Sequence, residues 1–268
     1  MKKINYLFSA LCIVSVTIVS CTKENVIDAT DNSSVIASAS IDLVNELDVQ
    51  TGTQVSYDNS TSRKTGKSLT ASCAVVTMQT QTTTFPKTYY VDFANGCTTN
   101  GITKKGKLKI TFSNYVTETG STMTVERENY YVNGNKVEGT IVYKNTTTTI
   151  PQWTRTVTNG KFTDTNGAVY TNSGAHTTKQ TAGVSTFTLE DNVYELSNGN
   201  HIVTNQNGSK ITLTIVEPLI KKFSCDYVSK GQLKVEGTLF NGVIDYGNGD
   251  CDNLGTYTQN GIANPFTM

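Results

Sequence analysis

Apolar and polar residues alternate along most of this chain from Leu69 onward. Lys107–Phe112 alternates strictly; Val137–Tyr143, Lys210–Val216 and Gln232–Glu236 do so more loosely. A period of two turns one set of side chains to a core and the other to water, as in antiparallel sheets with one wet face. Ten Asn-Gly dipeptides punctuate these runs, beginning at Asn95, Asn100, Asn133, Asn159, Asn166, Asn198, Asn207, Asn241, Asn248 and Asn260. Asn and Gly tolerate the positive φ that tight hairpin turns require. Three dipeptides look best placed as turns: Asn133-Gly134, Asn198-Gly199 and Asn241-Gly242. Short connections make successive strands neighbours, and no spacer is long enough for parallel crossovers. The pattern predicts a mainly β domain over 69–268. It is an antiparallel meander of about twelve strands, as a curled sheet, a sandwich or an open barrel.

Upstream the period changes. Ile36, Ala39, Leu43 and Leu47 fall near one helical face, with Asp42, Glu46 and Asp48 elsewhere. This predicts a short amphipathic helix within Val35–Val49, its apolar stripe covering an end or face of the sheet. Asp28–Ser34 is small and polar, and Gln50–Lys67 is polar again. Residues 21–68 therefore read as a tether carrying a short helix.

The first twenty residues read as a leader. Lys2 and Lys3 precede an apolar run from Ile4 to Ser20 that is short for a membrane span and interrupted by Asn5, Ser9, Ser15 and Thr17. Ile18-Val19-Ser20-Cys21 resembles the bacterial lipobox. That resemblance implies that residues 1–20 are a signal peptide removed before Cys21, which then carries lipid and becomes the membrane contact. Lys23-Glu24 resembles the export tag of Bacteroidetes surface lipoproteins. The expected location is a lipid anchor at the outer membrane, with the cell surface favoured by that tag.

Composition agrees with export. The chain carries 22 basic and 22 acidic residues, and loss of Lys2 and Lys3 leaves 20 against 22. No basic excess remains for a nucleic-acid footprint. Six cysteines include Cys12 in the leader and Cys21, leaving Cys73, Cys97, Cys225 and Cys251. An even set in an exported protein implies disulfides, with three connectivities available. An internal echo selects one of them. Val91-Asp92-Phe93-Ala94-Asn95-Gly96-Cys97 parallels Ile244-Asp245-Tyr246-Gly247-Asn248-Gly249-Asp250-Cys251, and each has an earlier cysteine at similar distance. The echo predicts Cys73–Cys97 and Cys225–Cys251, each contributing about 3–4 kcal/mol in a chain-entropy account. Zinc is disfavoured, since there is no C-x-x-C spacing and only two histidines are present.

Tyr131–Thr140, Trp153–Lys161 and Ile244–Asn253 resemble segments of a group of uncharacterised Bacteroidetes lipoproteins. The resemblance covers about 70–260. It implies a β-rich exported lipoprotein and supplies no activity.

Candidate chemistry is sparse. Asp245, Asn248, Asp250 and Asp252 are the densest oxygen-ligand set and make a weak calcium candidate, but the EF-hand spacing of glycine and closing glutamate is missing. His176 and His201 lie in polar strand or turn sequence and read as exposed bystanders. No nucleophile elbow, H-E-x-x-H or phosphate loop is present. Asp164, Glu190, Asp191 and Glu195 could supply a glycosidase pair only if two met in a cleft. Tyr89, Tyr90, Tyr130, Tyr131, Tyr143 and Trp153 sit in predicted strands, and adjacent tyrosines put one ring on each face. The expected role is a non-enzymatic envelope lipoprotein, without cofactor, binding a glycan or envelope protein through its sheet surface. The alternatives are a structural component without ligand and a hydrolase of polysaccharide or peptide.

Overall fold

Helix α1 (Ser33–Asp58) forms although its sequence favours a helix only weakly. It holds Gly52 and many β-branched residues, and the Thr51 and Thr53 hydroxyls donate back to the carbonyls of Leu47 and Val49. Burial stabilises it instead. In the computed structural model, which describes residues 32–60, 73–81 and 83–268, all nine residues from Ile41 to Val49 are buried. Nine residues make two and a half turns, so the helix is covered on every face.

The cover is one antiparallel sheet of fourteen strands. Its first members are β1 (Val75–Met78), β2 (Lys87–Asp92), β3 (Cys97–Thr99), β4 (Ile102–Phe112) and β5 (Thr122–Val132). Then come β6 (Asn135–Asn145), β7 (Gln152–Thr163), β8 (Val169–Ala182), β9 (Val193–Asn205) and β10 (Lys210–Lys222). The last are β11 (Val228–Gly237), β12 (Asn241–Asn248), β13 (Leu254–Gln259) and β14 (Ile262–Thr267). Spatial order follows chain order from β1 to β14, except that β3 pairs only with β4. The sheet is open, with β1 and β14 as its edges. A four-residue strand at one edge and Pro265 in the other both limit further pairing.

Curvature comes from bulges. Eight successive ladders, from β4·β5 through β11·β12, each contain a register shift, while those at the margins are regular. A bulge bends its strand and increases local twist, so the middle of the sheet coils around the helix. Gly106, at φ +85°, sits at one shift, where an added Cβ would lie 2.0 Å from the carbonyl oxygen of Asn129. Only glycine permits that approach.

The meander stands, with fourteen strands in place of about twelve. The turn assignments need correction. Asn133-Gly134 is a hairpin turn with both residues at positive φ, as are Asn100-Gly101 and Asn260-Gly261. Asn198-Gly199 lies inside β9, where it forms a bulge opposite β8; Asn159 does the same in β7. Asn241-Gly242 opens β12. Left-handed asparagine serves a bulge as well as a turn, so the dipeptide does not by itself mark a chain reversal.

The helix also differs from expectation. It runs nine residues past Val49, is buried all round, and belongs with the sheet in one compact unit, Asn32–Met268. Residues Asn32–Ser60, assigned to the tether, are therefore part of the fold. The signal peptide, Cys21 and Lys23-Glu24 lie outside the described residues.

Both predicted disulfides form, with Cα–Cα distances of 5.5 Å for Cys73–Cys97 and 5.7 Å for Cys225–Cys251. The echo is structural. Asp92 accepts the Ala94 amide at 2.8 Å and Asp245 accepts the Gly247 amide at 2.7 Å, each residue two on having positive φ. Outside, the sheet carries exposed ion pairs such as Lys107–Asp92, Lys109–Glu126 and Lys234–Glu236. Among the described residues no helix is long and apolar enough to cross a membrane.

Candidate functional site

The interior is charged. Asp48 on the helix meets Arg127 of β5 at 2.7 Å, and the Tyr130 hydroxyl donates to the same carboxylate at 2.7 Å. Asn45, one turn earlier, accepts from Arg127 at 2.8 Å. A second group faces the helix next to it. Arg155 of β7 donates to Glu46 at 2.8 Å and stands 3.7 Å from Asp42. His176 of β8 lies 3.5 Å from Glu46, and His201 of β9 lies 3.5 Å from Asp42. Lys221 of β10 donates to Gln50 at 3.2 Å and to the carbonyls of Lys222 and Cys225.

These surroundings shift proton affinities. Burial holds both histidines below their ordinary value, His176 by more, and the Arg155 charge adds to the effect on each; Asp42 opposes it at His201. Desolvation raises the Glu46 carboxyl against the lowering influence of Arg155. Burial brings the Lys221 ammonium down to about 8. His176 is buried and His201 partly buried, both facing the helix, so neither is an exposed bystander. The alternation of their strands places them inside, although their sequence neighbours are polar.

Among the openings that flank the C-terminal half of the helix, two have volumes of about 430 Å³. The loop-end cleft, about 430 Å³, lies among the β4–β5, β6–β7 and β8–β9 connections. Its wall includes Tyr57, Tyr115, Trp153, Tyr194, Gln180 and Asn192. Trp153 stacks on Tyr143 at 5.6 Å and its indole N–H donates to the Val116 carbonyl, fixing the β4–β5 connection. Asn192 accepts from Gln180 at 3.0 Å and donates to the Tyr194 hydroxyl at 3.0 Å. Burial drives that phenol up to about 12, so it is neutral at physiological pH. The Tyr57 hydroxyl ties the helix end to the Phe187 carbonyl. Among the described residues Glu118 is the one charged lining residue. Exposed Val184 and Phe187 stand on the β8–β9 connection and exposed Ile150 on the β6–β7 connection. The second opening, also about 430 Å³, lies between the β3–β4 turn and the β10–β11 connection. There Asn100 donates to Asp226 at 2.9 Å, each next to a disulfide-bonded stretch.

The aromatic residues picked out in the sequence divide as expected of alternation. Tyr89 and Tyr130 are buried, while their neighbours Tyr90 and Tyr131 are half-buried on the other face. Tyr143 and Trp153 are buried too. No outer aromatic row forms from this set; the rings gather inside and at the cleft. The calcium candidates do not converge. Asp245 spends its oxygens on the Gly247 amide and Gln232, and Asp252 accepts the Leu254 amide. Among the described residues no group of three His, Cys, Asp or Glu could hold a metal ion. Of the suggested hydrolase carboxylates, Asp164 caps the β7–β8 turn while Asp191 lies in the β8–β9 connection at the opposite end of β8. Helix residues Asp42, Asn45, Glu46 and Asp48 were the sequence's missed functional group. Their i, i+3 and i, i+4 spacing among Ile41, Leu43, Val44, Leu47 and Val49 was the available signal.

Two outcomes follow. Asp48→Ala strands the buried Arg127 guanidinium and should lower unfolding free energy by about 3–5 kcal/mol in urea titration. Lys234→Ala, which removes only an exposed pair, should cost under about 1 kcal/mol. The second outcome concerns pH. The folded histidines bind protons less readily than unfolded ones, whose pKa is near 6.5. As pH falls through 6.5 the unfolded chain takes up protons first, so stability present above 6.5 is lost below it. Raised Glu46 works in the opposite sense closer to pH 4.5. Urea midpoints should drop between pH 7.5 and 5.5, and the drop should shrink in a His176→Gln/His201→Gln variant.

No family model matches this chain, and no curated protein or solved structure is similar to it.

Proposed function

We propose that this chain is a lipid-anchored envelope lipoprotein, without enzymatic activity, that binds a neutral glycan in the loop-end cleft. The observation that supports the reading is the cleft's lining. Among the described residues aromatic rings, amides and hydroxyls predominate, with a single carboxylate and no cation. Rings stack on the apolar faces of sugars, and amides and hydroxyls match sugar hydroxyl groups. A phosphate or nucleic-acid ligand would need positive charge there. The binding surface is thus moved from the outer sheet face to the connections at one end. A partner protein seated on Phe187, Val184 and Ile150 is the alternative occupant. The Lys, Thr and Glu outer face is what favours the second reading, a structural component without ligand.

The lipid on Cys21 and its outer-membrane address rest on the leader pattern. The cleft is lined by Thr53, Ser56 and Tyr57 near the C-terminal end of a 26-residue helix about 39 Å long.

A labelled lipid precursor should be incorporated by the wild type and not by Cys21→Ala; equal labelling would exclude the anchor. On a glycan array the purified full-length protein should bind neutral oligosaccharides. Tyr115→Ala and Phe187→Ala, both at exposed positions, should weaken that binding at least tenfold. Wild-type binding by both variants, or no glycan bound at all, would remove the glycan assignment.

A further inference from the structure

The opening between the β3–β4 turn and the β10–β11 connection has its own chemistry, unlike that of the loop-end cleft. One wall is apolar: Leu47 of the helix, Val91 and Phe93 at the end of β2, Ile102 of β4, and Phe223. Set into it is Lys104 of β4. Its ammonium donates to the Thr51 hydroxyl at 3.0 Å and sits 5.6 Å from the centre of the Phe93 ring. Among the described residues no carboxylate lies within ion-pair distance of it. An ammonium has three donors, and one hydrogen bond leaves Lys104 able to take an anion. Burial lowers its proton affinity, and the Asp48 and Asp226 charges oppose that shift.

Acceptors stand in the same opening. The Gln54 amide donates to Asp58 at 2.7 Å, but its carbonyl oxygen is buried without a hydrogen-bond partner among the described residues. A buried acceptor left unpaired is costly, so it invites a donor. Glu190 and Asp226 also line the space, and among the described residues only the Asp226 carboxylate is engaged, by Asn100. The lining thus combines one underused cation, spare acceptors of negative character and an apolar wall.

We propose that this opening binds a small zwitterion with an apolar body, of the class of apolar amino acids and short peptides. Its carboxylate pairs with Lys104, its ammonium reaches the Gln54 carbonyl and the Glu190 and Asp226 carboxylates, and its side chains lie on Phe93, Leu47 and Phe223. A volume of about 430 Å³ suits a ligand of that size. A simple fatty acid would leave Glu190 and Gln54 facing an apolar chain. A cationic ligand would leave Lys104 unmatched.

Calorimetry on the full-length protein with the dipeptide leucyl-leucine tests the proposal. Saturable binding is expected, weakened at least tenfold by N-acetylation and at least tenfold by C-amidation. Lys104→Met should weaken the free dipeptide at least tenfold and leave the C-amidated form unchanged, a difference that a merely structural lysine would not produce. Glu190 is exposed, so Glu190→Gln tests the amine end without disturbing the core. It should weaken the free dipeptide and not the acetylated one. Absence of saturable heat, equal affinity for blocked and free forms, or unchanged binding in both variants would overturn the assignment. Glycan binding at the loop-end cleft uses none of these residues, so either result can fail alone.

Discussion

A carboxylate on the central helix facing an arginine from the surrounding sheet is the contact on which this structure turns. Asp48 with Arg127, and Glu46 with Arg155, sit where water is excluded. Such pairs contribute little net stability compared with an apolar isostere, because desolvation offsets much of the attraction. What they do fix is position. A helix with apolar residues on all sides would slide or rotate inside a curled sheet at small cost. A charge displaced from its partner incurs several kcal/mol, so the pairs set both the rotation of the helix and its depth. The two openings beside Gln50–Tyr57 owe their shape to that registration.

Curvature is the second constraint. A flat sheet of fourteen strands could not cover a helix on every face. The shift in each of eight central ladders converts a meander into a wrap, while the regular marginal ladders stay as edges. Close backbone approaches such as Gly106 against Asn129 mark where the strands bend. The Asn100–Asp226 contact then joins opposite parts of the wrap without a ladder between them, and the neighbouring disulfides secure its two sides.

Much of this was legible in the sequence. Alternation gave the antiparallel class, and the echoed Asp-aromatic-Asn-Gly-Cys stretches gave the correct disulfide pairing because they encode the same turn. Three things were hidden. Asn-Gly reads alike in a turn and in a bulge, so Asn159 and Asn198 concealed the curvature. Glu46 and Asp48 counted as polar, which made a buried helix look amphipathic and too short. Their partners lie on strands whose inward positions also hold Arg127, Arg155, His176 and His201, and a polar residue at an inward position weakens the alternation that would reveal it. Tyr57, Tyr115 and Phe187 come from a helix end and two loops, and only the wrapped sheet brings them together.

The helix precedes every strand it contacts. Asp48 is separated from Arg127 by 79 positions and Gln50 from the Phe223 carbonyl by 173. Helix α1 meets its first partners on β5 and its last beside β10, so its full set of contacts waits for the chain to be complete through about β10. Before that, an isolated segment of such weak intrinsic preference is held by nothing of its own. Assembly must proceed with loop closures of the longest kind, which favours slow, all-at-once folding over stepwise growth from the N-terminus. A chain truncated within its last third loses more than an edge. It loses the wall against which its earliest element is defined.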